Sequence, residues 1–373
     1  MKKLSIFLFV IISISFVFSV FNGPEDERHQ TKFNENYAIF SPNQPNEISF
    51  AGEKMPLIQN DINERFDREI LVNTYWQSQT VLFIKKAHKY FPVIEPILKN
   101  KGIPDDFKYL AIAESGLANV VSHSGATGFW QIMKDTGKEN GLLINKEVDE
   151  RYHLIKSTKA ACNYLNKAYT KFGSWTLAAA SYNMGMTGLN KQMKKQNVEN
   201  YYDLLLNNET ARYIFRIAAI KEILSNQKTY GFQIRKKDLY KLPPLNQVLL
   251  DTSVGNFANY AEQLNLNYKI LKEYNPWLRQ AELKNESNFA YFIDVPEKGF
   301  YTSTNETVLI NDEKVENTIR LDTLNIKMNK TMSLKKVAET NGIEIEELFL
   351  QNMNALDIEV KKGDRLQIIK ESL

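Results

Sequence analysis

The chain has 373 residues, of which 24% are charged, 43% hydrophobic and 12% aromatic, a balance that suits folded domains and excludes collagen-like, coiled-coil or wholly disordered chains. At roughly 100–200 residues per domain, the length predicts two or three domains. Net charge is only +3, from 47 basic and 44 acidic residues, which leaves no bulk electrostatic case for nucleic acid.

Residues 1–21, MKKLSIFLFVIISISFVFSVF, place two lysines before an uncharged apolar run that stops abruptly at Asn22. This is an export signal, with Val17 and Ser19 in reach of a cleavage site. Its apolar run also approaches the ~18 residues of a short membrane span, so retention as an N-terminal anchor stays open. Residues 22–60 are rich in Asn, Pro, Glu and Gln and read as a linker.

From 61 to 240 the apolar positions recur at steps of three and four, as in Ile84 to His88, Leu154 to Ala168 and Ile214 to Ile223, which predicts an all-α domain. After Leu242-Pro243-Pro244 the texture changes to short β-rich runs around shorter helices. Residues 246–298 and 320–373 each follow the order β-α-α-β. The only cysteine is Cys162, which excludes an intramolecular disulfide and a thiolate cluster and reads as a small buried hydrophobe. His29, His88, His123 and His153 lack any metal-binding spacing, so no metal site and no cofactor are expected.

Three stretches carry chemistry. The segment 102–116 opens with Pro104 and two aspartates and closes at Gly116, as a helix does. Its apolar stripe, Phe107, Leu110 and Ala111, continues onto Glu114, which puts a carboxylate on the core-facing side, where desolvation raises its pKa toward that of a general acid. A register shifted by one residue would leave Glu114 merely solvated. The Gly-rich loop from Ser122 to Gln131 brings backbone close to a ligand such as a sugar, with Phe129 and Trp130 either stacking on it or lying in the core. It lacks the pattern of a phosphate-binding loop. Residues 178–185, Ala-Ala-Ala-Ser-Tyr-Asn-Met-Gly, end a tightly packed helix with a phenol and an amide. Asp149, Glu150 and Arg151 read as a structural ion pair and cap.

Glu114-Ser115-Gly116, Gly125-Ala126-x-Gly128-Phe129-Trp130-Gln131-x-Met133, Asp149-Glu150-Arg151, Ser157-Thr158 and Tyr182-Asn183-x-Gly185 resemble, in order and spacing, the catalytic domain of the soluble-type lytic murein transglycosylases (family 1), and among these the membrane-bound lytic murein transglycosylase D group. The resemblance spans about Phe66 to Leu224. The C-terminal β-α-α-β stretch resembles a LysM domain, with Asn352, Asn354 and Gly363-Asp364 fitting its pattern. The 246–298 unit is a more divergent copy, with a glycan-binding and a purely structural role both open.

The resemblance implies a lysozyme-like fold and assigns Glu114 as the single acid and base. It implies substrate contacts at Ser115, Ser122, Gln131, Met133, Tyr182 and Asn183, and at Tyr213 in Glu209-Thr210-x-x-Tyr213. The implied reaction cleaves the N-acetylmuramic acid to N-acetylglucosamine bond of peptidoglycan without water, leaving a 1,6-anhydromuramyl end. Ordinary glycosidases use two carboxylates, and no second Asp or Glu lies between Ser115 and Met133. Departures from the family pattern are a loop after Gly116 without Asn-Pro, Ser181 before Tyr182, and Met186-Thr187-Gly188 in place of a glycine-richer turn.

The expected protein is therefore multidomain: an all-α lysozyme-like catalytic domain followed by one or two small α+β (βααβ) LysM-type modules. It is exported to the periplasm or cell envelope, with peptidoglycan glycan strands as partner, no nucleic acid, and membrane association through the N-terminal segment where that segment is retained. The alternatives are a hydrolytic muramidase with the same residues and a non-catalytic peptidoglycan-binding protein.

Overall fold

The computed structural model describes residues 25–35, 41–286, 289–297, 300, 321–327, 332–333, 336–337, 359–360 and 365–371. The expected leader, 1–21, lies outside the described residues. Among the described residues, no helix is long and apolar enough to cross a membrane.

The chain divides into two compact units, Met1–Asn43 and Gln44–Leu373. In the first, Glu25–Glu35 form helix α1, within the stretch expected as a linker. The second begins inside that same stretch, so the linker expectation needs correction from Gln44 onward. Strands β1 (Ser49–Phe50) and β2 (Glu53–Lys54) pair antiparallel across Ala51 and Gly52, both at positive φ, the geometry of a two-residue hairpin turn. Ile48, Phe50 and Met55 are buried in the main core. Polar anchors complete the docking: Asp106 Oδ2 accepts from Ala51 N and from Lys221 Nζ, both at 2.7 Å.

Helices α2 (Asn60–Tyr75), α3 (Gln77–Asn100), α4 (Lys108–Ser115), α5 (Lys134–Glu139), α6 (Leu154–Phe172), α7 (Trp175–Met184), α8 (Met186–Gln196) and α9 (Asn208–Ser225) follow. The spacings read from Leu154 to Ala168 and from Ile214 to Ile223 follow the inward faces of α6 and α9; on α3 Ile84 is buried with Phe83 and Ala87, whereas His88 is exposed. On α6 the buried face is mostly small, with Ser157, Ala160, Ala161 and Cys162, and it meets the buried Ala178, Ala179 and Ala180 of α7. Small residues let the two backbones approach closely, and Gly173 at φ 68° turns the chain between them. Helix α9 lies centrally, packed against α2, α4 and α7.

Beyond Pro244, β3 (Leu245–Leu250), α10 (Phe257–Gln263), α11 (Tyr268–Tyr274) and β4 (Tyr291–Pro296) form the expected βααβ unit. Strand β3 pairs antiparallel with β4, from Leu245 opposite Pro296 to Leu250 opposite Tyr291. The side chains of Asn256 and Asn267 cap the two helices by accepting from Ala258 N and Ile270 N. Phe257, Ile270, Leu271, Trp277 and Ile293 form a second core, which also takes in Val148 from the helical part. Further on, β5 (Leu321–Lys327) pairs antiparallel with β8 (Arg365–Glu371), and β6 (Met332–Ser333) with β7 (Glu359–Val360). Apart from Lys336 and Val337, the two helices expected in 320–373 lie outside the described residues.

Candidate active site

Helix α4 follows a 3₁₀ turn at Asp105–Phe107 and is stopped by Gly116 at φ 61°, whose N–H bonds Ile112 O. A Cβ there would sit 2.9 Å from the Phe83 ring, so both conformation and space call for glycine. Phe107, Leu110 and Ala111 are fully buried, and the register read from the sequence places Glu114 next on that face, half-buried.

The phenol of Tyr213, on α9, donates to Glu114 Oε1. Burial pushes the Glu114 carboxyl up to about 7; the Tyr213 hydrogen bond opposes this, the Glu209 charge adds to it and Arg216 opposes it. Tyr213 is buried and its pKa lies well above the ordinary phenol value, from burial and then the field of Glu114. Its proton therefore stays on the phenol, which is the donor. A carboxyl that titrates near neutrality can give and take a proton at working pH.

Glu209, Tyr213 and Arg216 lie at i, i+4 and i+7 on α9 and so share one face. The sequence reading did not assign Glu209 or Arg216, although their spacing four residues before and three after Tyr213 was the available signal. Behind that face, Glu69 of α2 is 1% exposed and takes Arg212 Nε at 2.7 Å, Arg68 Nη1 at 2.6 Å and Arg216 Nε at 3.9 Å.

Tyr182 and Asn183 end α7. Tyr182 donates its hydroxyl to Trp130 O at 2.7 Å, and the field of Glu114 reaches it. Asn183 accepts from Thr210 Oγ1 at 2.7 Å and donates from Nδ2 to Glu209 Oε1 at 3.2 Å, tying α7 to the first turn of α9. The Gly-rich loop closes the other side. Trp130 is buried with its Nε1 on Thr158 Oγ1 at 2.8 Å, and Phe129 is buried too, so both are core residues.

The remaining expected contacts differ in accessibility. Ser115 Oγ donates toward Phe129 O at 2.7 Å and Ala111 O at 3.2 Å, and accepts from Ala118 N at 3.3 Å. Its hydroxyl thus ties the helix that carries Glu114 to the loop. Ser122 is exposed and its Oγ accepts from Ala126 N at 3.0 Å. Gln131, at φ 47°, donates from Nε2 to Gly128 O at 2.8 Å and Val120 O at 3.0 Å. Met133 is exposed beside it.

Arg151 holds this loop from behind. Its Nε and Nη2 bond the Asp149 carboxylate at 2.9 and 2.7 Å, while Nη1 donates to Gly125 O at 3.1 Å and Ile132 O at 3.2 Å. Asp149 also caps the turn by accepting from Arg151 N, the ion pair and cap expected from the sequence. Among the described residues, no group of three or more His, Cys, Asp or Glu is placed to hold a metal ion.

Residues 91–205 match the family described as the transglycosylase SLT domain, and residues 246–299 match the soluble lytic transglycosylase C-terminal LysM-like domain. The chain carries an SLT domain followed by a LysM-like domain. Two relatives named membrane-bound lytic murein transglycosylase D, from Escherichia coli K12 and from E. coli O6:H1, are each 28% identical over 259 residues, 67% of this chain and 55% of theirs. The chain thus spans about half the length of the curated relatives it matches. The SLT match ends before α9, so Tyr213 is brought to Glu114 by a helix beyond it. The LysM-like match falls on the β3 to β4 unit, the copy read from the sequence as more divergent.

Proposed function

We propose that the protein is a peptidoglycan lytic transglycosylase acting in the cell envelope. The observation that carries this reading is the half-buried Glu114 carboxyl, titrating at about 7 and held by the Tyr213 phenol, at the motif positions of an SLT domain. Protonated Glu114 gives its proton to the glycosidic oxygen between N-acetylmuramic acid and N-acetylglucosamine as the C1–O bond breaks. The resulting carboxylate then takes the proton of the muramyl 6-hydroxyl as O6 bonds to C1. The proton ledger closes on one residue, water is not consumed, and the product is a 1,6-anhydro end.

In this reading Tyr213 orients the acid, Tyr182 and Asn183 set the wall beside it, and Gln131, Met133 and Ser122 line the rim. Ser115 serves by holding Phe129 O. Residues 1–21 supply export, and the LysM-like domain and the 320–373 unit contact glycan strands, raising the local substrate concentration.

Glu209 favours a second reading. Its charge reaches Glu114, and a second carboxylate able to activate water would make the protein a hydrolytic muramidase. Digestion of purified peptidoglycan by the chain lacking residues 1–21, beside its Glu114→Gln variant, with mass spectrometry of the released muropeptides, separates the readings. Anhydro ends formed only by the unaltered protein support the transglycosylase. Reducing ends assign the muramidase, and retained sacculus binding without release leaves a wall-binding protein.

A further inference from the structure

The LysM-like domain is joined to the SLT domain by more than the chain between them. Val148 bridges Leu278 in an antiparallel pair, Asp149 N donates to Trp277 O at 2.9 Å, and Arg279 N donates to Glu147 O at 2.7 Å. The Trp277 ring stacks on His153 at 5.9 Å, and the Arg279 guanidinium lies 3.9 Å over the ring of Tyr152. Burial holds His153 neutral, its pKa pushed down to about 3, so the ring that Trp277 stacks on is uncharged.

The segment thus gripped, 147–153, is the one that holds the loop beside the acid. Arg151 bonds Gly125 O and Ile132 O. Asn119 Nδ2 bonds Tyr152 O at 3.2 Å. The same loop then supplies Phe129 O to Ser115, the neighbour of Glu114, and Trp130 O to Tyr182. A cavity of about 330 Å³ at the joint is walled by Phe129 and His153 on one side and Pro276 and Trp277 on the other. A continuous series of contacts therefore runs from Arg279 and Trp277 to Ser115, the chain neighbour of Glu114, and to Tyr182.

We propose that the LysM-like domain is a positioning element of the active site, with Trp277 and Arg279 fixing residues 147–153 and, through Arg151, the Gly125–Ile132 loop. The inference rests on the proposed activity for its kinetic consequence. A domain serving only as a tether would raise turnover on insoluble sacculi and leave soluble fragments unaffected. A positioning domain sets turnover on both, since small misplacement of a catalytic constellation slows the chemistry.

The test uses the chain lacking residues 1–21 with Arg279→Ala, Arg279→Lys and Tyr152→Leu. It measures kcat and KM on soluble uncrosslinked glycan strands, cosedimentation with sacculi, and amide hydrogen exchange. Arg279→Ala is expected to lower kcat about 10-fold or more with KM little changed, to leave cosedimentation intact and to speed exchange at Gly125–Ile132. Arg279→Lys, which keeps a cation over Tyr152, recovers most of the loss, and Tyr152→Leu combined with Arg279→Ala adds little to either alone. Unchanged kcat on soluble strands with unchanged loop exchange overturns the proposal in favour of a tether. Loss of protection across the whole SLT domain overturns it too, because the joint would then hold the fold and not the loop. If the unaltered chain releases no product, the activity reading fails and loop exchange alone decides this one.

Discussion

Tyr213 donates its phenolic hydrogen to Oε1 of Glu114, joining two helices across 99 residues of sequence. The bond favours the ionised carboxyl and so holds the pKa below what burial alone would give. Tyr213→Phe removes that restraint without opening the core. The pKa of Glu114 then rises above about 7, and the descending alkaline limb of kcat/KM, which follows loss of the acid form, moves to higher pH by about one unit. Activity at neutral pH falls about 10- to 100-fold because the acid also loses its orientation. A pH-rate profile checks this; a limb that stays or moves down removes Tyr213 from the role given to it.

The raised pKa of Glu114 also has a stability consequence of defined sign. In the unfolded chain the group ionises near its ordinary 4.5, and in the fold at about 7. Between those values the folded state holds a proton that the unfolded state has released, so stability is greatest below pH 4.5 and is lost as pH rises through 7. With allowance for its partial exposure, the ionised carboxylate costs the fold about 2 kcal/mol at pH 8. Glu114→Gln, which removes the charge and keeps an acceptor for Tyr213, is expected to raise Tm on the order of 5 °C at pH 8 and by much less at pH 5. Thermal melts at the two pH values decide it. A Glu114→Gln variant less stable than its parent at pH 8 would contradict this electrostatic account.

What could be read from the sequence was local. The stripe through Phe107, Leu110 and Ala111 located Glu114, and Gly116 ended its helix, because periodicity and capping are properties of neighbouring residues. Asp149 and Arg151, two positions apart, were legible as a pair for the same reason. Glu69 was not, since its three arginines come from its own helix and from α9, and a buried carboxylate looks like a surface one until α2 and α9 are packed. Nor was the docking of residues 147–153, where Val148 serves the core of the LysM-like domain. The stretch 44–60 failed differently: its apolar residues fall in two short groups, Ile48 to Ala51 and Met55 to Ile58, parted by Gly52-Glu53-Lys54, and a two-strand hairpin has too few positions to show a period.

That stretch yields a prediction of its own. Glu53 accepts from Trp175 N at 2.6 Å, from Thr176 N at 3.0 Å and from Ser174 Oγ at 2.7 Å, so a residue expected to lie in a linker neutralises the amino end of α7. A carboxylate on unpaired amides at a helix start favours the helix through both hydrogen bonds and dipole. Glu53→Ala should lower stability by about 1–2 kcal/mol, seen as a lower urea midpoint with unchanged slope. A variant indistinguishable from its parent would mean that the Glu53 carboxylate adds nothing measurable to the start of α7.

Two glycines of the loop beside the acid share a φ of 84° and differ in what surrounds them. At Gly125 a Cβ meets nothing within 4 Å, whereas at Gly128 it would lie 2.1 Å from Arg151 O. Alanine at Gly125 therefore carries only the conformational penalty of a left-handed residue, about 1–2 kcal/mol. Alanine at Gly128 carries the same penalty and must also push away the backbone of the residue whose guanidinium holds the loop. Loss of about 3 kcal/mol or more is expected there, with activity falling further than at Gly125 because Phe129 O and Trp130 O move with it. Equal effects of the two substitutions, in denaturant unfolding and in glycan turnover, would show that the close approach of Arg151 to the loop is not what holds Ser115 and Tyr182 in place.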